Sequence, residues 1–586
     1  MNPDWLLKYF DQISEVPDAV PRLRRFILDL AVRGKLVEQD PDDEPAAEVL
    51  KRIQANGDHG SNDGERKNQN SLPAIETGEI ALKIPENWVL ARVGKLLDIQ
   101  YGKALPAADR SVQGSVAVYG SNGVVGYCEA TLAQEPAIII GRKGSAGALN
   151  LCDGPSWTTD VAYFLIPPAF FNIRFLFVAL QTLDLARLGK GVKPGLNRSE
   201  AYQLPMVVPP LTEQHRIVAK VDELMALCDK LEAAQSKRER RRDRLVAATL
   251  HGLNNGNAIP ETGTRPTFEE SARFYFNHLS RLTTRPEHIH QLRQTILNLA
   301  IRGRLVPQDA KDEPVRKVLD RFFLEKQNKW RELQIAKAGG KNHKIKSGSS
   351  EKRYDEPITP NVQSLPKLPV TWEWVCWESV LAFGDQSFKR GPFGSSLTKS
   401  IFISSGYKVY EQYCPINDDC SFARYYITPQ KYKELQGFAV KAKDFLISCS
   451  GVTLGRITQV PDEYEEGIIN QALLRVRIES KLISDSFFKM LFRSPYFQNQ
   501  IFGNSTGMAI PNVKGVKELK AIPLPLPPLA EQHRIVAKVD ELMALCDQME
   551  DRLTTTATAR RQLLEATLVE ALSGPCQLQQ EQPHAS

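Results

Sequence analysis

TEQHRIVAKVDELMALCD, Thr212 to Asp229, returns almost word for word as AEQHRIVAKVDELMALCD from Ala530 to Asp547. Counted from the preceding Pro-Pro-Leu (Pro209 and Pro527), the copies share 20 of 21 residues at an offset of 318. A self-match of that strength is an internal repeat. In each copy the apolar residues step by four and three: Ile217, Val221, Leu224, Cys228 and Leu231 in the first, and Ile535, Val539, Leu542, Cys546, Met549 and Leu553 in the second. Such steps make a helix seam. The paired prolines stand just before the helix, where a missing N–H costs least, and Glu213 or Glu531 in the first turn suits the helix dipole. The helix-forming pattern runs on to Leu253 and Leu572, which allows roughly 40 residues, or about 60 Å, per helix. A helix that long with one narrow apolar stripe needs a partner, and its own copy is the partner expected; the alternative is a core helix in each of two unrelated domains.

A second repeat stands at the front of each half. Leu23 to Pro45, LRRFILDLAVRGKLVEQDPDDEP, matches Leu292 to Pro314, LRQTILNLAIRGRLVPQDAKDEP, in 15 of 23 positions at an offset of 269. Each reads as a helix with one apolar face (Leu23, Ile27, Leu30 and Ala31; Ile296, Leu299 and Ala300) that ends at a glycine, Gly34 or Gly303, after an arginine. The chain is thus one cassette used twice: short helix, variable segment, long helix. Because the offsets differ by 49, the extra length of the second half lies between its two repeated elements. Gly57 to Ser71, Asn254 to Pro266 and Gln334 to Val362 have the composition of connections. Each variable segment opens on a tryptophan strand, ENWVLARVGKLLDI from Glu86 or VTWEWVCWESVLAF from Val370, and continues as short β-type runs between Gly, Asn and Pro turns. Both segments read as α+β domains with mixed sheets.

Composition is that of a soluble protein of several domains: 586 residues, 25% charged and 42% hydrophobic. The N-terminus lacks a basic stretch followed by an apolar block, and no run of 18 apolar residues occurs, so a cytoplasmic location without membrane spanning is expected. Nine cysteines without a CxxC pair read as buried thiols; Cys414 and Cys420 are a weak metal signal, and no metal site is expected. Net charge is +6, with basic residues gathered in KRERRRDR (Lys237 to Arg244) and between Lys326 and Arg353. That permits nucleic-acid binding, although such runs also serve as solvated helix faces. Catalytic signatures are missing. VVPPL, LPLPPL and IPPAF do not fit the amino-methyltransferase motif, GRKGSAG is not a nucleotide-binding loop, and Pro461-Asp462-Glu463 and the DDEP and KDEP motifs read as turn and cap residues.

The LRxxILxLAxRGxLV elements, the PLPPLxEQHRIVAKVDELMALCD helix, and YGSNGVVGY, IIIGRKGSAG and LISCSGVTLGRI together resemble the specificity subunit of type I restriction-modification systems, over essentially the whole chain. The resemblance implies an α+β fold: two globular mixed α/β recognition domains joined by two long antiparallel coiled-coil helices, with a pseudo-twofold internal repeat. It divides the chain into a helical element (1–56), a linker (57–85), recognition domain 1 (86–208), the central helix (209–253), a connector (254–290), the second helical element (291–323), a basic linker (324–366), recognition domain 2 (367–525), the C-terminal helix (526–572) and a tail (573–586). It implies that each domain reads half of a bipartite double-stranded DNA site. The helices set the spacer and dock methyltransferase subunits, two of them, with restriction-translocase subunits completing the nuclease. S-adenosylmethionine, ATP and Mg are then implied for those partners, with no cofactor on this chain. A specificity module of a related methylase-nuclease fusion system and a non-DNA coiled-coil scaffold with two protein-binding heads are the alternatives.

Phosphate and base-edge contacts need Arg, Lys or small polar groups on rigid loops that approach the duplex closely. In the first head the glycine-bounded candidates are Ser121, Asn122, Arg142, Lys143, Lys190, Lys193 and Asn197. In the second they are Ser450, Thr453, Arg456, Asn470, Gln471, Ser505, Asn512 and Lys514. No catalytic residue is assigned.

Overall fold

The computed structural model describes residues 16, 18–56, 72, 73, 75, 84–190, 195–255, 267–339, 358–384, 386–393, 396–451, 453–502 and 513–573. Two compact units result, residues 1–239 with 555–586 and residues 240–554. Each repeated helix runs from one unit into the other.

In the first unit α1 (Ala19–Val32) and α2 (Ala46–Asn56) precede the head. The head consists of β1 (Val89–Arg92), β2 (Gln100–Tyr101), β3 (Val116–Gly120), β4 (Gly123–Cys128), β5 (Ala137–Gly141), β6 (Leu149–Cys152), β7 (Ser156–Thr158), β8 (Ala162–Leu165), α3 (Ile173–Thr182) and β9 (Pro205–Val208), leading into α4 (Leu211–Asn255). One antiparallel sheet has the order β2-β8-β5-β6, and a three-stranded sheet the order β4-β3-β7. In the latter β3 runs antiparallel to β4 and parallel to β7. Strand β5 reads AIIIG and is buried at every position, as a central strand of β-branched residues should be. Asn172 starts α3 by accepting from Arg174 N and Phe175 N.

In the second unit α5 (Phe268–Asn277), α6 (Pro286–Ala300) and α7 (Val315–Gly339) come first. The head then contains β10 (Glu373–Cys376), β11 (Phe388–Arg390), β12 (Tyr407–Tyr410), β13 (Tyr426–Ile427), β14 (Phe445–Ser448), β15 (Ile457–Gln459), β16 (Gly467–Ile469), β17 (Leu473–Val476), α8 (Asp485–Arg493) and β18 (Pro523–Leu526), before α9 (Leu529–Ser573). Its sheets have the orders β11-β17-β14-β15 and β13-β12-β16, with β12 antiparallel to β13 and parallel to β16. The two heads therefore share one topology. In each, a two-stranded ribbon (β1 with β9, β10 with β18) leads into the long helix.

Each seam packs inside its own unit. Ile217, Val221 and Cys228 are buried in one cluster with Val20, Ile27 and Ala31 of α1 and the first head's Ile138, Tyr163 and Leu176, while Leu224 and Leu231 pack against it. Ile535, Val539 and Cys546 lie in the other unit's cluster with Ile289, Leu292 and Ile296 of α6, where Leu542, Met549 and Leu553 also pack. Within each unit the seam thus shares a core with the short helix and the head. Charge follows the same plan. Arg24 reaches Asp229 (2.5 Å) and Glu232 (3.1 Å), and Arg293 reaches Asp547 (2.5 Å) and Glu550 (2.6 Å).

Each short helix also meets the far half of the other long helix. In the first unit Val16 and Ala19 pack on Leu564 of α9, and Lys35 Nζ donates to Leu572 O at 2.6 Å. In the second, Val246, Leu250 and Leu253 of α4 join the α6 cluster, and the Asp243 carboxylate takes Arg285 and His288 Nε2.

A buried carboxylate fixes the start of each long helix. Glu213 is fully buried, and its oxygens accept from Trp88 Nε1 (2.8 Å) and Gln39 Nε2 (2.6 Å). Glu531 accepts from Trp372 Nε1 (2.9 Å) and Gln308 Nε2 (2.5 Å). Burial pushes both carboxyls above their ordinary range against the pull of these donors. The next residues tie the head on: Gln214 donates to Phe170 O and Pro209 O, and Gln532 donates to Leu482 O and Pro527 O. The helix-ending Gly34 and Gly303 both have φ +66°. A Cβ on them would meet Pro85 at 2.5 Å and Pro369 at 2.4 Å, beside the same two tryptophans.

Several boundaries move. The long helices start at Leu211 and Leu529, directly after their prolines as the sequence predicts, and extend past Leu253 and Leu572 to Asn255 and Ser573. The second short helix begins at Pro286, inside the expected connector, which also holds α5. The 324–366 linker is helical to Gly339, because Val315, Leu319 and Phe322 anchor α7 in the core. Lys326, grouped with the basic stretch, is buried and donates to Leu381 O at 2.8 Å, its pKa depressed to about 8 by burial. The tryptophan strands are four residues long, each followed by a single helical turn. Residues 57–71 and 256–266 lie outside the described residues. Among the described residues no helix is long and apolar enough to cross a membrane.

Glu213→Ala removes two acceptors from a buried site and strands the Trp88 indole N–H. The expected cost is about 2 to 4 kcal/mol, read as a lower urea midpoint with a shifted tryptophan emission. Lys220→Ala, which removes an exposed pair with Glu223, serves as the control and is expected to cost under about 1 kcal/mol.

Candidate nucleic-acid interface

In the first head the end of β5 gathers the candidates. Ser121 and Asn122 form the turn between β3 and β4. A Cβ on Gly141 would lie 2.4 Å from Ser121 O and 2.1 Å from Ser145 O, so glycine alone lets the turn and the following loop close up. The backbone N–H groups of Arg142 and Lys143 both donate to Val161 O (2.9 and 3.0 Å), and Arg142 O accepts from Leu196 N at 2.8 Å. Lys143 and Lys190 each bridge to Gly195, and Asn197 Oδ1 accepts from Ser199 N at 2.9 Å. Ser121, Arg142, Lys143, Lys190 and Asn197 are thereby brought to one rim, with Asn122 exposed at the turn. Lys193 lies outside the described residues.

Tyr101, the last residue of β2, stands at the middle of this rim and was not legible as a site residue. It is 47% exposed, and the guanidinium carbons of Arg142 and Arg198 lie 4.9 and 4.6 Å from its ring centroid. Such cation–π contacts hold planar donors in fixed orientation. Arg142 also donates to Asp160 O (3.1 Å) and Arg198 to Ile99 O (2.9 Å). Tyr163 meets Tyr101 edge-on at 5.0 Å and donates to Leu196 O at 3.0 Å; burial raises its phenol pKa. Lys190 pairs with Glu200 at 2.7 Å on the surface, a contact that a phosphate can replace at little cost.

Backbone bonds map the second head onto the first. Cys449 N donates to Ala472 O (2.8 Å) as Arg142 N does to Val161 O, and Val513 N donates to Cys449 O (3.2 Å) as Leu196 N does to Arg142 O. Gly455 N reaches Ser448 O (3.1 Å) as Gly147 N reaches Gly141 O (2.8 Å). Ser450 therefore stands where the first head has Lys143, Lys514 where it has Asn197, and Arg456 where it has Ala148. The frame is kept and its chemistry exchanged. At the place of Arg142 is Cys449, buried, with its thiol pushed up to about 12 by burial. At the place of Tyr101 is Arg390. The guanidinium has moved from the loop that follows central strand β5 to the edge strand β11.

Of the second head's candidates, Arg456 and Gln471 are exposed at this rim. Ser450 accepts from Gln412 Nε2 through its carbonyl at 2.5 Å, and Thr453 O accepts from Ser448 Oγ at 2.7 Å. Asn470 turns its Oδ1 onto Ala472 N at 3.1 Å, so its side chain shapes the turn instead of being presented. Ser505 and Asn512 lie outside the described residues. Sequence reading missed Arg198, Arg390 and Gln412; the one available signal was a strand-end residue followed by glycine, Tyr101-Gly102 and Arg390-Gly391. The basic run Lys237 to Arg244 lies on α4 and not in a head. Cys414 is a buried free thiol and Cys420 a half-buried one, and among the described residues no group of three or more His, Cys, Asp or Glu is arranged to hold a metal.

What the rim offers is a set of N–H donors on fixed backbone, suited to phosphate oxygens and base edges. Its glycines are structural requirements. A Cβ on Gly102 would sit 2.1 Å from Thr159 O, and one on Gly391 would sit 1.8 Å from Asn470 O. Gly391→Ala is expected to cost roughly 2 kcal/mol or more and to lower the unfolding midpoint; an unchanged midpoint would show that the edge strand can give way.

Two stretches of the chain, residues 85–239 and 394–558, match the family model described as the type I restriction modification DNA specificity domain. The chain is 26% identical to the type I restriction enzyme EcoAI specificity subunit of Escherichia coli over 589 residues, covering 93% of each. It is 25% identical to the EcoEI specificity subunit of Escherichia coli over 595 residues, covering 94% of each. Among solved structures, the HsdS subunit from Thermoanaerobacter tengcongensis aligns with 85% of this chain and all of its own at 16% identity and a TM-score of 0.38. The two family-model matches take in more than half of the 586 residues, and the chain belongs to the type I restriction-modification DNA specificity family.

Proposed function

We propose that this chain is the DNA-reading subunit of a type I restriction-modification complex. Each head reads one half of a bipartite site, and the long helices hold the heads at a set separation and dock two methyltransferase subunits, with restriction-translocase subunits completing the assembly. The observation that carries the reading is the double match to the specificity-domain model, coming after two heads of one topology whose equivalent rim positions carry different side chains. Adenine methylation and ATP-driven cleavage, with S-adenosylmethionine, ATP and Mg, belong in this reading to the partner subunits, and the complex works in the cytoplasm.

Helix length supports the spacing role. At 45 residues each, the helices extend about 68 Å, enough to span half-sites one duplex turn, roughly 34 Å, apart. The direct test is single-molecule methylome sequencing of cells carrying the chain and its methyltransferase partner, against a deletion. A bipartite motif with a fixed degenerate gap, lost in the deletion, is expected. A non-DNA scaffold would leave the methylome unchanged with the partner demonstrably expressed. Lengthening both helices by one heptad, after Leu231 and after Met549, is expected to alter the gap and leave the half-sites intact. A gap of the original length in that variant would exclude the helices as the spacing device.

A further inference from the structure

The two heads differ most where their shared frame leaves strand β3 or β12. Tyr119 of β3 lies opposite Thr158 of the parallel strand β7, and Tyr410 of β12 lies opposite Ile469 of β16. Their carbonyls accept the same next bond, from Thr159 N and from Asn470 N, each at 3.0 Å. The chain therefore departs from one equivalent point in both heads. In the first it makes the Ser121–Asn122 turn and returns as β4. In the second it makes an excursion over 411–425 before returning as β13. Both connections begin against the rim: Ser121 O lies beside Gly141, and Gln412 Nε2 donates to Ser450 O at 2.5 Å.

The excursion is braced along its length. Lys408, its side chain 1% exposed, donates to Cys420 O (2.8 Å) and Ser421 O (3.1 Å) and pairs with Glu465 (3.1 Å). Asp418, in the left-handed region at φ 54°, is held by Lys489 (2.8 Å) and Arg493 (2.9 Å). Burial opposes its ionisation, and these donors together outweigh burial and keep the carboxyl below its ordinary range. The rings of Tyr413 and Phe422 stack at 4.0 Å. From this fixed base Asn417 and Arg424 are exposed. Asn417 Nδ2 donates to Tyr413 O at 3.0 Å, which orients the amide, and Arg424 lies 5.0 Å over the Tyr425 ring. These are the two side-chain types that make paired hydrogen bonds to purine edges in the major groove, an amide to adenine and a guanidinium to guanine. Presentation from a rigid support is what such readout needs.

Resting on the DNA-reading function above, we propose that the 411–425 excursion is the element that determines the second half-site, with Asn417 and Arg424 as its base-contacting residues and Gln412 and Lys408 as residues that position it. It takes the place that the Ser121–Asn122 turn has in the first head. None of these four residues belongs to the glycine-bounded loops.

The test uses the whole chain with its methyltransferase partner. Asn417→Ala and Arg424→Ala are compared with the native chain by methylome sequencing, with unfolding midpoints measured alongside. Each variant is expected to lose about 5- to 150-fold discrimination at one base pair of the second half-site, the worth of one paired contact, and to keep the first half-site, the gap and the midpoint. Asn122→Ala is expected to relax the first half-site alone. A native bipartite motif with the second half-site unchanged in both variants overturns the assignment while leaving the DNA-reading function standing. Equal weakening of both half-sites likewise overturns it, and a native chain with no bipartite motif removes the function on which it rests.

Discussion

A carboxylate at the first turn of a helix ordinarily sits in water and answers the helix dipole. Glu213 and Glu531 sit in none. Removing an ionisable group from water is costly unless strong donors meet it, and here the indole of the strand-leading tryptophan and a glutamine from the loop after the short helix do so. One side chain therefore joins three pieces of chain that are remote in sequence: the short helix, the first strand of the head, and the long helix. Neighbouring residues extend the junction. Arg216 and Arg534 close on Asp43 and Asp312 at 2.7 and 2.6 Å, so the loop after each short helix is bound to the same turn.

That junction explains why the repeat is nearly perfect in one place and loose elsewhere. Glu213, Gln214, Arg216 and Asp229 each make a defined bond, and Glu531, Gln532, Arg534 and Asp547 make the corresponding one. A residue that must meet both a fixed partner and a helical register has no freedom to drift. The heads are under a different constraint: backbone-to-backbone bonds define their frame, and these do not depend on which side chain is carried. Arg142 and Cys449 accept and donate the same main-chain bonds with opposite chemistry.

The repeat, the helix starts and the two heads were legible because they rest on local pattern: a stepped apolar stripe, a proline pair, a glycine after arginine. The short helix was not legible as a neighbour of the seam, since apolar spacing states that a face is covered and leaves open by what; Arg24 and Arg293 bind beside it at matching places. Of the candidate rim, glycine-bounded loops pointed to Arg142, Lys143 and Arg456, whereas Tyr101 and Gln412 join it only through sheet pairing and a contact across 38 residues. Lys326 misled because charge in sequence says nothing of depth, and its helix turns it inward.

The 49-residue difference between the two repeat offsets then acquires a physical meaning. Part of it is α7, 25 residues long where α2 has 11; part is the 411–425 excursion that replaces a two-residue turn. A loop of that length costs little more closure entropy than a short one, provided its polar groups find partners, and Lys408, Asp418 and Gln412 supply them. Growth at a turn leaves the strands, the core and the junction at Glu531 untouched. The same frame can in this way present a different surface to each half of a site, and the cost of changing that surface falls on the loop and not on the fold.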